Sequence, residues 1–272
     1  MGSVATMDPL NFVKYEGAGN DFLVIDASSE RAVSPERAVS LCDRHFGVGA
    51  DGVLLVVPAS DPRARARMVV LNADGSRPEM CGNGLRCVAL HLATRDEAER
   101  ADYVIETDAG ERTTEVVRVG PSGHVTQGMG QGRPGGVYRF PVKGREQEFF
   151  LVDMGNPHAV TFGLTLSEAE LDQVGPALSA TQPSGANVEI VNHVAGRLDV
   201  LVWERGVGRT LACGTGAAGV AVAAAATGLT RFGEPVEVRL PGGSLSVVVE
   251  EGTLSVTMRG PARLVFSGQV GA

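Results

Sequence analysis

Three short motifs occur twice in this sequence, in the same order, and that duplication constrains the fold more than any other feature. The stretch AGNDFLVI (Ala18–Ile25) has a counterpart in MGNPHAVT (Met154–Thr161), GADGVLLV from Gly49 in GANVEIV from Gly185, and CGNG from Cys81 in CGTG from Cys213. The spacing is nearly kept: 61 residues separate Asn20 from Cys81 and 57 separate Asn156 from Cys213. Ordered matches of this kind indicate two domains of one fold, related by a pseudo-two-fold axis. A chain of 272 residues is long enough for two cores.

Within each half the pattern is mostly short β-branched runs ended by Gly, Asp or Asn, such as DFLVIDA, GVLLVVP and ARMVVLNA, then HAVTFG, NVEIVN and LDVLVWERG. Helices are fewer. Ser34 and Pro35 read as the cap and first residue of one, LSEAELDQV is a weaker candidate, and the two best follow the cysteine motifs, over about 82–94 and 214–227. The expected fold class is therefore α+β: two pseudo-symmetric domains, each a mostly antiparallel sheet wrapped around a central helix, with the active site at their interface. The expected halves are residues 1–128 and 129–260, and the Gly- and Pro-rich stretch Gln127–Gly136 reads as a linker between them.

Composition excludes some functions. The net charge is −8 with no cluster of Lys or Arg, which argues against a nucleic-acid partner. Residues 211–229 carry no charge, but they are mostly Ala and Gly, which contribute little to membrane insertion; a buried helix is expected there, and no membrane partner. The start, MGSVATMDPLNF, lacks the basic and apolar regions of a signal peptide, and Met1-Gly2-Ser3 reads as a tail. Four cysteines in this length make no disulfide scaffold, so free thiols and the cytoplasm are expected.

Cys81 and Cys213 each stand where a helix begins. A helix N-terminus favours the thiolate, and its free N–H groups, approachable at Gly82, Gly84, Gly214 and Gly216, suit a carboxylate. Facing thiols across a bound carboxylate would meet the adjacent carbon from both sides: one removes its proton, the other supplies one, and the configuration inverts. Racemisation or epimerisation of an α-amino acid fits that arrangement. Neither metal nor pyridoxal phosphate is expected, because two thiols suffice and no Cys or His cluster has ligand spacing. Cys42 and Cys87 have no counterparts in the repeat and read as structural.

These motifs resemble the diaminopimelate epimerase family over nearly the whole chain, from GAGNDF through LNADGSRPEMCGNGLRC, MGNPHAV and GANVEIV to WERGVGRTLACGTGAAG. The resemblance implies a cofactor-independent epimerase that interconverts LL- and meso-diaminopimelate in lysine and cell-wall precursor biosynthesis, with Cys81 and Cys213 as the acid and base. It implies that Gly82, Asn83, Gly214 and Thr215 hold the reacting carboxylate, and that Asn20, Asn72, Asn156, Asn187 and Arg205 hold the rest of the substrate. Glu204 is implied to contact an ammonium and His158 to tune a thiol. It also implies a homodimer, with the last strand, 261–272, rejoining the first domain. Gly52 stands where some members carry Gln, and Trp203 where Tyr is common. Proline and hydroxyproline racemases share the paired thiols but typically have His in place of Asn83. The remaining alternatives are a cysteine hydrolase, which leaves the second CGxG unexplained, and an amino-acid-binding protein, which would keep the helix ends but has no use for facing thiols.

Overall fold

The structure is a computed structural model, and it describes residues 9–271. The Met1-Gly2-Ser3 tail, and most of the stretch read for a signal, lie outside them. In chain order the elements are β1 (Leu10–Gly17), β2 (Asn20–Asp26), α1 (Pro35–Cys42), β3 (Gly52–Val57), β4 (Ala66–Asn72), α2 (Gly82–Arg95), β5 (Arg100–Thr107), β6 (Gly110–Val119) and β7 (Ser122–Gln131). There follow β8 (Arg133–Val142), β9 (Arg145–Asp153), β10 (Pro157–Phe162), α3 (Glu168–Ser179), β11 (Asn187–Val194), β12 (Arg197–Glu204) and the short β13 (Gly208–Arg209). The chain ends with α4 (Gly214–Ala226), β14 (Val236–Leu240), β15 (Gly243–Val249) and β16 (Ser255–Val270). It forms two compact units. One runs to Val125 and takes in Pro261 onward; the other is Thr126–Gly260, so the chain passes between units inside β7 and β16.

In the first unit the strand order is β1-β2-β3-β4-β5-β6-β7-β16, and the sheet closes because β16 also pairs with β1. Helix α2 fills the inside. Tyr15, Phe22, Leu54, Leu85, Val88 and Leu92 form one continuous core around it. Helix α1 covers the other face of β2 and β3, with Ala38 and Leu41 packed on Leu23, Ile25 and Val53. Strand β3 is thus covered on both faces and buried at every position, which is why GVLLVV is apolar without alternation. Ser34 caps α1 by accepting from Arg37 N–H, with Pro35 in the first turn.

The second unit repeats the plan. Its strands run β8-β9-β10-β11-β12-β14-β15-β16 around α4, with α3 outside on β11 and β12. The β2–β3 pair is parallel with Phe22 opposite Gly52, and the β10–β11 pair is parallel with His158 opposite Asn187; in both units the next strand then pairs antiparallel. α4 is buried on all sides from Gly216 to Ala225, and no helix among the described residues is long and apolar enough to cross a membrane. Its small side chains let strands approach closely: a Cβ on Gly132 would lie 2.6 Å from Val222.

The expected α+β fold of two like domains holds, and both central helices lie within a residue of their expected ends. The linker does not hold. Gln127–Gly136 is strand almost throughout, the end of β7 and the start of β8, and its glycines serve the strands. Gly132 passes α4, while Gly136, at φ 92°, follows a bulge in the β8–β9 register. Composition alone cannot distinguish such glycines from those of a flexible segment.

Candidate active site

Each unit's central helix begins at a cysteine. Cys81 and Cys213 are the caps of α2 and α4, with nearly equal backbone angles (φ −135°, ψ 111° and φ −124°, ψ 110°). Each sulfur accepts from the backbone N–H three residues on, Gly84 and Gly216, at 3.3 Å. All four cysteines are unbridged. Cys42 and Cys87 are buried in the cores, and burial raises both thiols, Cys42 to about 11.

In the first unit Asn83 stands in the opening turn of α2, 4% exposed, and its amide donates to Asn20 Oδ1 at 3.2 Å. Asn20 in turn donates to Asp51 at 2.6 Å. Behind Asn83 lies the fully buried Arg86, which donates to Asn83 Oδ1 at 2.8 Å and to the Pro261 carbonyl at 3.1 Å. A guanidinium can only donate, so it fixes the carbonyl side of Asn83 inward and the amino side toward Asn20. Asn72 closes β4 and donates to Ser76 Oγ at 2.9 Å.

In the second unit the predicted residues form one array. His158 Nε2 lies 3.0 Å from Asn156 Oδ1, Asn156 donates to Thr215 Oγ1 at 3.3 Å, and that hydroxyl is 3.6 Å from Cys213 Sγ. Gly214 and Thr215 are the first residues of α4. Asn187 opens β11 and accepts from Arg205 N–H at 2.9 Å, while the Arg205 guanidinium donates to the Ser184 carbonyl. Glu204, at the end of β12, accepts from the Thr210 hydroxyl and lies within hydrogen-bonding reach of Cys213.

Two sequence expectations change here. A helix N-terminus was expected to favour the thiolate, yet the Cys213 thiol is pushed well above its ordinary value, first by burial and then by the carboxylates of Glu204 and Glu189. The Thr215 hydroxyl and Gly216 N–H pull the other way and do not prevail. Burial likewise raises Glu204. His158, implied to tune a thiol, has both ring nitrogens engaged, Nδ1 with Glu189 Oε1 at 2.7 Å and Nε2 with Asn156, and it connects to Cys213 through Asn156 and Thr215. Glu189, Arg86 and Asp51 are the site residues that sequence reasoning missed. Glu189 alone left a signal: a carboxylate inside a strand whose repeat partner, GVLLV, is wholly apolar.

A family model described as Diaminopimelate epimerase matches residues 12–133 and 150–265. The chain is 40% identical to Diaminopimelate epimerase 1 of a Nostoc species over 96% of this chain and 99% of that one. It is 40% identical to the diaminopimelate epimerase of a Synechocystis species over 96% and 98%. Among solved structures, a hydroxyproline epimerase from Agrobacterium vitis superposes with a TM-score of 0.73 at 17% identity, covering 97% of this chain and 92% of that one. A PhzF-family phenazine biosynthesis protein of Bacillus anthracis gives 0.74 at 16%, covering 97% and 99%. At such identity these two share the fold alone. Matched over nearly its whole length by the family's model and its members, the chain is an isomerase that belongs to the diaminopimelate epimerase family.

Proposed function

We propose that the chain interconverts LL- and meso-diaminopimelate by two-base proton transfer, with Cys81 and Cys213 acting on opposite faces of one α-carbon. The observation that carries this reading is the matched pair of thiols, each capping its unit's central helix with the same backbone geometry and the same N–H to sulfur contact. One thiolate removes the α-proton; the opposite thiol donates its own to the other face; the stereocentre inverts and the two sulfurs exchange protonation. Cys213, held as a thiol by burial and the carboxylates beside it, is poised to donate. Once ionised, its sulfur keeps the Gly216 N–H and gains the Thr215 hydroxyl as a donor.

The α-carboxylate is held by the helix ends at Gly82, Asn83, Gly214 and Thr215, where each well-aimed donor is worth about 3 kcal/mol as charge develops. Asn20, Asn72, Asn156 and Asn187 supply donors and acceptors for the rest of a zwitterion. Arg205 has donors beyond the one on Ser184 for the distal carboxylate. Glu204 tunes Cys213 and is close enough to that thiol to meet a substrate ammonium in the same site. No metal or pyridoxal phosphate is needed, because the two sulfurs account for both proton transfers. We place this activity in lysine and cell-wall precursor synthesis, in the cytoplasm, in a homodimer.

Cys81→Ala and Cys213→Ala test the pairing. Each is expected to lose epimerisation by at least about 100-fold, the scale of a lost acid or base, with an unchanged circular dichroism spectrum. Full activity in either variant would overturn the reading.

A further inference from the structure

The Gly-Asn motif and the first turn of the central helix are hydrogen-bonded in both units, but in opposite directions. In the second unit Asn156 donates to Thr215 of α4. In the first unit Asn83 of α2 donates to Asn20, and Asn20 donates in turn to Asp51 Oδ2. Thr215 carries a rotating hydroxyl, which serves either direction. Asn83 and Asn20 are planar amides with a donor side and an acceptor side, so something must set which way each faces. The units differ again five residues past each cysteine, where Arg86 and Ala218 are both fully buried. The second unit shows that the fold accepts alanine there. Burying a guanidinium is costly, and Arg86 needs a reason other than packing.

We infer that Arg86 and Asp51 are positioning residues that set the direction of one hydrogen-bond chain, running from Arg86 through Asn83 and Asn20 to Asp51. The inference rests on the carboxylate-binding role proposed above for Asn83. One end of the chain can only donate: the guanidinium gives Nη2–H to Asn83 Oδ1 at 2.8 Å, and its Nε–H to the Pro261 carbonyl at 3.1 Å holds its plane. The other end can only accept: the Asp51 carboxylate takes Asn20 Nδ2–H at 2.6 Å, Asp21 N–H at 3.0 Å and Arg44 Nη2–H at 2.8 Å. Turning Asn83 over would set its amino group against the guanidinium and its oxygen against Asn20 Oδ1. Turning Asn20 over would set its oxygen against the carboxylate. Either end alone is enough to hold the direction, Arg86 through Asn83 and Asp51 through Asn20. With both gone the amides can reverse, and Asn83 would meet a substrate carboxylate with an oxygen in place of an amino group.

The wild-type protein gives the first test. Neutron diffraction from crystals of the perdeuterated protein should show two deuterons on the Asn83 nitrogen facing Asn20, and two on the Asn20 nitrogen facing Asp51. Either amide reversed would overturn the inference. Kinetics give the second. Arg86→Met, which keeps the buried stem without its donors, and Asp51→Asn, which can turn either an oxygen or an amino group to Asn20, should each lower kcat/KM by less than about tenfold, the scale of one lost hydrogen bond. The double variant should lose more than the product of the two, because only then is neither end left to set the direction. Arg86→Lys, again an end that only donates, should recover most of that extra loss in the Asp51→Asn background, which a merely space-filling role would not predict. Losses that simply multiply, a single variant as impaired as the double, or a lysine that recovers nothing would contradict it. A wild-type protein inactive on diaminopimelate would sink the proposed activity but leave the neutron maps to decide the direction of the chain.

Discussion

Two opposed influences meet at Cys213, and their balance sets how it reacts. The helix end and the Thr215 hydroxyl favour the thiolate; burial, Glu204 and Glu189 favour the thiol and prevail. Alkylation of Cys213 in the native enzyme should therefore be slow at neutral pH and rise only in alkali. Glu204→Gln, which removes a carboxylate that raises this thiol, should move the alkylation curve, followed by mass spectrometry at Cys213, to lower pH; a move upward would contradict the assignment. The buried thiols also bear on stability. Cys42 is raised to about 11, and Cys87 is raised by full burial. In the unfolded chain a thiol titrates near about 8.5, so above that pH the unfolded state gives up protons that the native state keeps, and stability falls. Thermal melts should decline from about pH 9 upward, less steeply in Cys87→Ala; an equal slope would place the loss elsewhere. At this scale the sequence revealed the paired cysteines, because a duplicated motif stands out without a structure. It hid Arg86 and Asp51, since a helix and a turn carry charges for many reasons and only packing shows which are aimed at Asn83 and Asn20.

Helix α3 shows how separate devices fix one element. Ser167 and Glu170 form a reciprocal capping box at its start, and Gly175 lets it lie on β12, where a Cβ would fall 2.4 Å from Trp203 Cγ. Ser167→Ala should cost about 1 kcal/mol and lower the melting temperature by about 2–4 °C. Gly175→Ala should cost about 1–3 kcal/mol, because the indole opposite is rigid and the backbone must move. If calorimetry found Gly175→Ala stabilising, as a plain helix propensity would suggest, the close docking of α3 on Trp203 would be wrong. The serine and the glutamate were legible as LSEAELDQV; the glycine's purpose was not, since it depends on a side chain 28 residues away on β12. The Gly-rich stretch joining β7 to β8 was misread for the same reason: Gly132 answers to Val222 across the unit, not to its neighbours in sequence.

At the level of the whole chain, duplication was the most informative signal, because a repeat in order and spacing specifies a plan twice over while any one strand pattern is ambiguous. The parallel and antiparallel pairings recur in the two units as the repeat implied. What the repeat concealed is where the copies diverge, as at Phe22 and Leu54 against His158 and Glu189, since similarity draws attention to what is shared. The proposed chemistry needs both copies, and one isotope experiment tests that need most directly. LL-diaminopimelate is incubated with the enzyme in D₂O, and the α-hydrogen is followed over the first few per cent of turnover. If one thiol removes the proton and the other, already exchanged with solvent, supplies its replacement, every inverted centre carries deuterium while the remaining LL substrate stays protiated. Protium retained at the inverted centre would mean a single base serving both faces, and would contradict the pairing of Cys81 with Cys213.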